Sequence, residues 1–223
     1  MKIKEITLLM AAASSVFAAS DAPQRLDASA EVLTEIMDAP DKGIPQDLME
    51  KSACIVVVPG LKKGAFIVGG KYGKGFISCR RENGVGWSAP AAVRVEGGSF
   101  GFQIGGSETD VVMLVMNRGG AHKLLSSKFT LGADASVAAG PVGRSSSADT
   151  DAKLQAEILT YSRTRGVFAG IALQGATLRP DDDWNHELYG KDVPNQDIVF
   201  GTTRTPPAAR KLLATLNKYS GRK

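Results

Sequence analysis

The stretch from Gly97 to Met116, GGSFGFQIGGSETDVVMLVM, constrains the fold more than any other part of this chain. Apolar residues alternate with small or polar residues over positions 99–104, which is the period of a half-buried β-strand. The small and polar residues 105–110 predict a turn. The apolar run 111–116 predicts a strand buried on both faces. We therefore predict a hairpin at the centre of a sheet.

Further strand and helix patterns surround this hairpin. Strand patterns occupy residues 54–58, 64–68, 75–80 and 87–95, with a glycine-rich turn predicted at 69–74, an alternating segment at 129–143 and a final hairpin at 165–178. Helices are predicted at residues 23–37, from Pro45 onward, at 121–126, at 181–189 and from Thr205 onward. Together they predict an α+β fold. It has one domain, with a mainly antiparallel sheet or partly closed barrel and peripheral helices.

The first and last helices are both amphipathic, and each could dock on the sheet or lie on a membrane. The polar face of the first helix carries Asp27, Glu31, Glu35 and Asp38, which argues against anionic lipid. The last helix has leucines on one face and the basic residues Arg210, Lys211 and Lys218 on the other. We expect docking for both helices.

Residues 1–18 have the pattern of a cleavable signal peptide. A charged start is followed by a mostly apolar or small segment and by a small-residue cleavage site before Ala19. No cysteine follows the leader, so we do not expect a lipoprotein anchor. We expect a periplasmic or secreted protein with a domain at 19–190 and an extension at 191–223 that contains the last helix.

The chain has two cysteines, Cys54 and Cys79, and both lie in strand-like segments. Export to an oxidising compartment would let them form a disulfide. The alternative is two buried thiols that act as small hydrophobic side chains. The sequence leaves both alternatives open.

Charge and its distribution suggest a weak attraction to anions. The formal net charge is +4, which permits binding to anionic lipid or nucleic acid but does not require it. Nucleic-acid binding needs stronger basic clustering with stacking aromatic residues, so we do not expect it. Six cations recur near the first hairpins and could hold phosphate head groups or simply be a solvated surface: Lys62, Lys63, Lys71, Lys74, Arg80 and Arg81.

Motifs for catalysis or cofactor binding are weak. Residues 97–101 match the G-x-S-x-G pattern around Ser99, but that motif needs a strand that turns sharply into a helix, and the strand pattern continues here. His122 and His186 are the only histidines. The acidic residues near His186 fit no calcium or zinc spacing. We expect no catalytic residue, metal or cofactor.

The chain resembles the SYLF-domain family from about residue 25 to residue 189, and several long segments match in order. It looks like a stand-alone bacterial member with an export signal. The residues that carry the resemblance are Cys54–Pro59, Lys63–Gly70, Gly86–Pro90, Gly98–Gly106, Thr109–Asn117, Lys128–Gly143 and Tyr161–Gly170.

The resemblance implies a lipid-binding module without catalytic activity. Fungal members bind actin, which we do not expect of an exported bacterial protein. We therefore predict a non-enzymatic protein of the bacterial envelope that binds phospholipids, including phosphoinositide-type lipids. Its expected partner is an anionic phospholipid or the surface of a membrane that contains one. The alternative is a structural module or one that binds an envelope protein partner. A serine hydrolase is the third hypothesis.

Overall fold

The computed structural model describes residues 21–39, 43–66, 68–100, 105–142, 156–164, 167–170, 173 and 175–220. The signal-peptide prediction lies outside these residues. The described strands are β1 (Cys54–Phe66), β2 (Val68–Cys79), β3 (Ala91–Phe100), β4 (Gly105–Val115), β5 (Phe129–Thr130), β6 (Val137–Ala139), β7 (Ile158–Thr164), β8 (Val167–Gly170) and β9 (Thr177–Pro180). The described helices are α1 (Asp21–Asp38), α2 (Gln46–Lys51), α3 (Arg118–Leu124), α4 (Asp182–Tyr189), α5 (Asn195–Phe200) and α6 (Arg210–Ser220), with a 3₁₀ turn at Pro207–Ala209 before α6.

The strands form one mainly antiparallel sheet in the order β5-β9-β3-β2-β1-β4-β7-β6, with β8 also paired to β7. The β6–β7 pair is parallel. The short connection 131–136 joins the two edge strands β5 and β6. It spans at most about 25 Å, whereas the edges of a flat sheet of this order would lie about 34 Å apart. The sheet must therefore curl, which confirms the predicted α+β fold with a partly closed barrel.

Two predicted hairpins are wrong. β3 and β4 do not pair, because the β1–β2 hairpin lies between them. Residues 105–110 are strand rather than turn, since Gly105 and Gly106 pair with Ala65 and Gly64 of β1. The hairpin predicted at 165–178 is also absent from the described residues, because β8 pairs with β7 and β9 pairs with β3 and β5. Alternation identified strands here, but it does not identify their partners.

The glycine-rich turn predicted at 69–74 is also wrong, because these residues lie inside β2. β1 likewise continues through Pro59 and Gly60, beyond the end of the strand predicted at residues 54–58. The register of β1 shifts by one residue against both neighbours at this point, so β1 has a bulge there. A bulge accommodates a proline and a glycine of positive φ (60° at Gly60) without ending the strand.

The sheet has a hydrophobic cluster on each face. The inner face carries Val56, Val93 and Met113 and is covered by α3, α5 and the β5–β6 connection. The helix face carries Val57 and Phe76 and is covered by α1, α2, α4 and α6. Within the described ranges, no helix combines the length and apolar character needed to span a bilayer.

The structure confirms that the first and last helices dock on the sheet. Leu26 and Leu33 of α1 and Leu212 and Leu216 of α6 are buried in the helix-face cluster. Two polar contacts also join the helices: Lys211 Nζ lies 2.9 Å from Glu31, and the Tyr219 hydroxyl donates to Asp38. The leucine face of α6 is therefore unavailable for a membrane. α5, also in segment 191–223, packs Ile198 and Val199 on the inner face.

Cys54 and Cys79 occupy directly opposite positions of β1 and β2 and form a disulfide. The alternative of two free thiols is therefore not what the structure shows. The bridge closes a loop between residues 25 apart in the sequence. Such a link stabilises a fold mainly by limiting the conformations of the unfolded chain.

Replacing both cysteines, as Cys54→Ala/Cys79→Ala, is expected to lower the free energy of unfolding by about 3 kcal/mol, since a loop of this length loses that much closure entropy. Urea unfolding of the oxidised protein and the variant measures the difference. As a control, a reductant should destabilise the parent protein and leave the variant unchanged. Equal stability of the two proteins under oxidising conditions would contradict the prediction.

Candidate functional site

The six cations singled out in the sequence do not form one cluster. β2 alone separates Lys71 from Arg80 by nine residues, or about 30 Å of strand. Within the remaining positions, alternation along the strands sends neighbouring lysines to opposite faces of the sheet. The structure therefore divides the six residues into groups with different surroundings.

Lys63 and Lys71 form the first group, here called the inner lysine pair. They are directly opposite each other on β1 and β2, and they share the inner face with Leu61 and Gly73. Both side chains are half-buried. Burial and the neighbouring charge of Lys71 lower the pKa of Lys63 from its ordinary value. In the described part of the chain, neither lysine has a carboxylate within ion-pair distance.

Lys62 points to the opposite, helix face of the sheet. It is exposed, and its cross-strand neighbours are Glu108 on β4 and Tyr72 on β2. The next residue in this row is Glu96 on β3. Glu96 also forms ion pairs with Arg94 and Arg179, so this surface carries charges of both signs and its cations have carboxylate neighbours.

Lys74 is occupied by a structural ion pair. Its Nζ lies 2.9 Å from a carboxylate oxygen of the buried Asp181 and 4.7 Å from the ring centroid of Trp184. Asp181 also accepts a hydrogen bond from the Trp184 backbone N–H, which caps α4. Lys74 therefore fastens the start of α4 to the sheet and is not available to a phosphate.

Arg80 is a buried anchor rather than a surface cation. Its guanidinium donates hydrogen bonds to the backbone carbonyls of Met49, Ser52 and Ser220 and lies 4.5 Å from the ring centroid of Trp87. It joins α2, the end of β2 and the end of α6. Nothing in the sequence identifies this role, because all three acceptors are backbone atoms and one lies 140 residues away. Arg81 is exposed next to it.

The structure does not bring the residues considered for catalysis into a working arrangement. Ser99 lies within β3 opposite Gly69, so it does not stand on a strand-to-helix turn. The ring of His122 stacks on Phe200 with centroids 4.4 Å apart, and His186 Nδ1 lies 2.8 Å from Asp192. Among the described residues, no group of three or more metal-ligating side chains comes together.

A network of polar side chains supports the β1 bulge. The sequence did not predict this network. Asp110 accepts a hydrogen bond from the Gly60 backbone N–H and pairs with Arg163, which also contacts Glu35 of α1. Burial raises the pKa of Asp110, although the bond from Gly60 opposes that change. Arg25 of α1 donates to the Pro59 carbonyl. This network holds α1 over the bulge.

Comparison with known proteins identifies the family to which this chain is related. Residues 96–219 match the family model described as "Ysc84: Las17-binding protein actin regulator". The chain belongs to the Ysc84 family. This confirms the resemblance to SYLF-domain proteins. The match includes the end of β3, all of β4 and most of α6.

Members of the Ysc84 family resemble this chain over most of its length. The chain is 33% identical over 199 residues to SH3 domain-containing YSC84-like protein 1 of Rattus norvegicus, which covers 86% of this chain and 58% of the relative. It is 34% identical over 180 residues to LAS seventeen-binding protein 3 of Saccharomyces cerevisiae, which covers 79% of this chain and 39% of the relative. The chain thus spans well under two thirds of these relatives. Their names describe domains or binding and mention no catalysed reaction.

Proposed function

We propose that the protein is a non-enzymatic lipid-binding module, and that the inner lysine pair binds the phosphate of an anionic phospholipid head group. The observation that supports this is the placement of Lys63 and Lys71 directly opposite each other on one face, with no carboxylate partner among the described residues. Like charges at opposed positions destabilise a sheet. A bound phosphate would remove that repulsion and accept charge-assisted hydrogen bonds from both ammonium groups.

The charges in the two cross-strand rows at Lys62 and Lys63 explain why the inner face is favoured for binding an anion. The inner-face row contains Lys63, Lys71 and Gly97, which together carry two positive charges and no negative charge. On the helix face, Lys62 lies in a row with Glu108 and Glu96, and Glu96 also pairs with Arg94 and Arg179, so the charges there are mixed. An anionic membrane surface should therefore be attracted to the inner-face row.

Export through residues 1–18 and action in the periplasm or outside the cell are part of the same proposal. The leader pattern supports export, and a structural disulfide is typical of proteins that fold in an oxidising compartment. Mass spectrometry of the protein recovered from a periplasmic fraction tests it. A chain that begins near Ala19 is expected, whereas an intact Met1 terminus would contradict export.

Liposome co-sedimentation tests lipid binding. The protein from Ala19 onward is expected to pellet with phosphatidylcholine vesicles that contain phosphatidylglycerol, to pellet poorly with phosphatidylcholine alone, and to bind less as salt increases. Lys63→Gln/Lys71→Gln should weaken binding about thirtyfold, because each lysine near an anionic surface contributes about 1 kcal/mol.

Lys62→Gln is the matched control for this experiment, because Lys62 is adjacent in sequence and exposed on the opposite face. It should change binding by much less than the double variant. Equal losses in Lys62→Gln and in the inner pair would show that only net charge matters. Absence of any preference for anionic vesicles would exclude the head-group site.

A protein-binding role is the second candidate, and the family description supports it, since it names Las17 binding and actin regulation. Those names apply to relatives that extend well beyond the shared region. If the module acts through a protein partner, Lys63→Gln/Lys71→Gln should leave its function intact while lipid binding is lost. For an exported bacterial protein we expect an envelope protein rather than actin as the partner.

A further inference from the structure

A groove of about 1050 Å³ lies far from the inner lysine pair, between the end of α4 and the segment that leads to α6. The Tyr189 hydroxyl on its wall donates to the Pro90 carbonyl, just before β3 begins. Lys71 pairs with Gly97 on the same strand, seven residues or about 23 Å further along. The groove is thus a separate surface, and what it binds does not depend on lipid binding.

Three cations line this groove: Lys191, Arg204 and Arg210. All three are exposed, and none has a carboxylate within ion-pair distance in the part of the chain that the structure describes. Asp197 is the acidic residue among the lining residues. Arg210 also begins α6, where a positive charge is unfavourable next to the positive end of the helix. The groove therefore has an excess of positive charge that its own residues do not neutralise.

The wall formed by residues 202–205 presents unpaired backbone groups. None of their N–H or C=O groups makes a hydrogen bond to another described backbone group. The C-terminal end of this segment is held in an extended conformation, because Thr205 and Pro206 both precede prolines. Pro206 accordingly has φ −69° and ψ 149°. A segment whose end is held extended and whose backbone groups have no described backbone partner can pair with another extended chain.

We propose that this groove binds an acidic peptide segment in an extended conformation. The peptide backbone pairs with residues 202–205, and its carboxylates pair with Lys191, Arg204 and Arg210. Its apolar atoms contact Leu188 and Val193 in the groove. A small anion would use the cations but would leave the backbone groups and the apolar wall uncovered. The volume and mixed character of the groove therefore favour a peptide over free phosphate.

Fluorescence anisotropy tests the proposal with a labelled peptide of alternating Glu and Thr and a matched peptide of alternating Gln and Thr. The protein should bind the Glu peptide measurably and the Gln peptide much more weakly. Arg204→Gln/Arg210→Gln should reduce the affinity for the Glu peptide about tenfold, because both removed charges face the ligand. Lys62→Gln/Lys128→Gln removes the same charge at exposed positions elsewhere and should leave the affinity nearly unchanged.

Backbone NMR shifts give an independent measurement. The amides of residues 202–205 should shift on adding the Glu peptide, and circular dichroism should show that both double variants are folded. Equal weakening by the two double variants, or amides that do not shift, would overturn the proposal. So would displacement of the peptide by inorganic phosphate at constant ionic strength, because that result would identify a small-anion site instead. Loss of peptide binding in Lys63→Gln/Lys71→Gln would overturn the separation of the two surfaces.

Discussion

Arg80→Ala is expected to lower the free energy of unfolding by about 4 kcal/mol. The substitution removes a guanidinium that donates to the carbonyls of Met49, Ser52 and Ser220. Hydrogen bonds to a charged donor contribute about 1.5–3 kcal/mol each, and buried acceptors that lose their donor retain their desolvation cost. The ring of Trp87 loses its cation–π contact as well. Because Arg80 follows β2 directly and its partners lie in or next to α2, at Trp87 and at the end of α6, the loss should be felt by the whole cooperative unit.

Urea unfolding followed by tryptophan fluorescence and circular dichroism measures this effect. Arg81→Ala is the matched control, since Arg81 is the next residue and its side chain is exposed, with a hydrogen bond from its Nε to the Trp87 carbonyl. Its loss should be below about 1 kcal/mol. If both variants lose similar stability, Arg80 is not the anchor that the structure indicates.

Gly75→Ala is expected to cost at least about 3 kcal/mol, or to prevent folding. A Cβ at Gly75 would collide with the Val57 carbonyl oxygen and would lie 2.7 Å from the Val58 Cα. Both are backbone atoms of β1 next to its bulge, so they cannot move aside as a flexible side chain could. Overpacking a core typically costs about 1–3 kcal/mol, and displacing a paired central strand should reach or exceed that range.

Gly70→Ala on the same strand is the control for this prediction. No atom lies within 4 Å of a Cβ built at Gly70, and the position is exposed. Its stability should stay within about 0.5 kcal/mol of the parent protein. Thermal unfolding of the two variants side by side measures the difference. Equal stability of Gly75→Ala and Gly70→Ala would contradict the close approach of β1 and β2.

The residues that stabilise the fold differ from the residues at the proposed binding sites. Arg80 and Gly75 act on folding through backbone contacts, whereas Lys63, Lys71 and the groove cations have no carboxylate partners among the described residues. We therefore expect the lysine and groove variants to be at least as stable as the parent protein while they lose binding, because the substitutions remove unfavourable positive charges. Paired measurements of unfolding and binding on the same preparations distinguish the two classes.

Local pattern determined much of the secondary structure. The alternation and apolar runs at residues 54–58, 91–95 and 111–115 are strands in the structure. The helices at α1, α4 and α6 lie where periodicity, capping residues and prolines placed them. These predictions succeed because side-chain period and helix-end chemistry act over a few residues. The family resemblance also came from the order of such segments along the chain.

Strand partners, by contrast, depend on long-range contacts. Glycines 69, 70, 73, 105 and 106 resemble turn residues, yet they lie within β2 and β4. Backbones approach each other closely at some of these positions, as at Gly73, where a Cβ would lie 3.1 Å from the Leu61 Cα. A glycine needed for a close approach and a glycine needed for a turn have the same local sequence, so pattern alone does not distinguish them.

The sequence by itself determined the fold class, the positions of most elements, the pair of cysteines and the set of basic residues from which a site could be built. Only the tertiary structure decided which of those residues face an open surface. Lys74 and Arg80 are used inside the fold, whereas Lys63 and Lys71 meet on one face of the sheet. The physical reason is that a cation's role depends on its partners in space. The partners of Lys74 and Arg80 include residues more than 100 positions away.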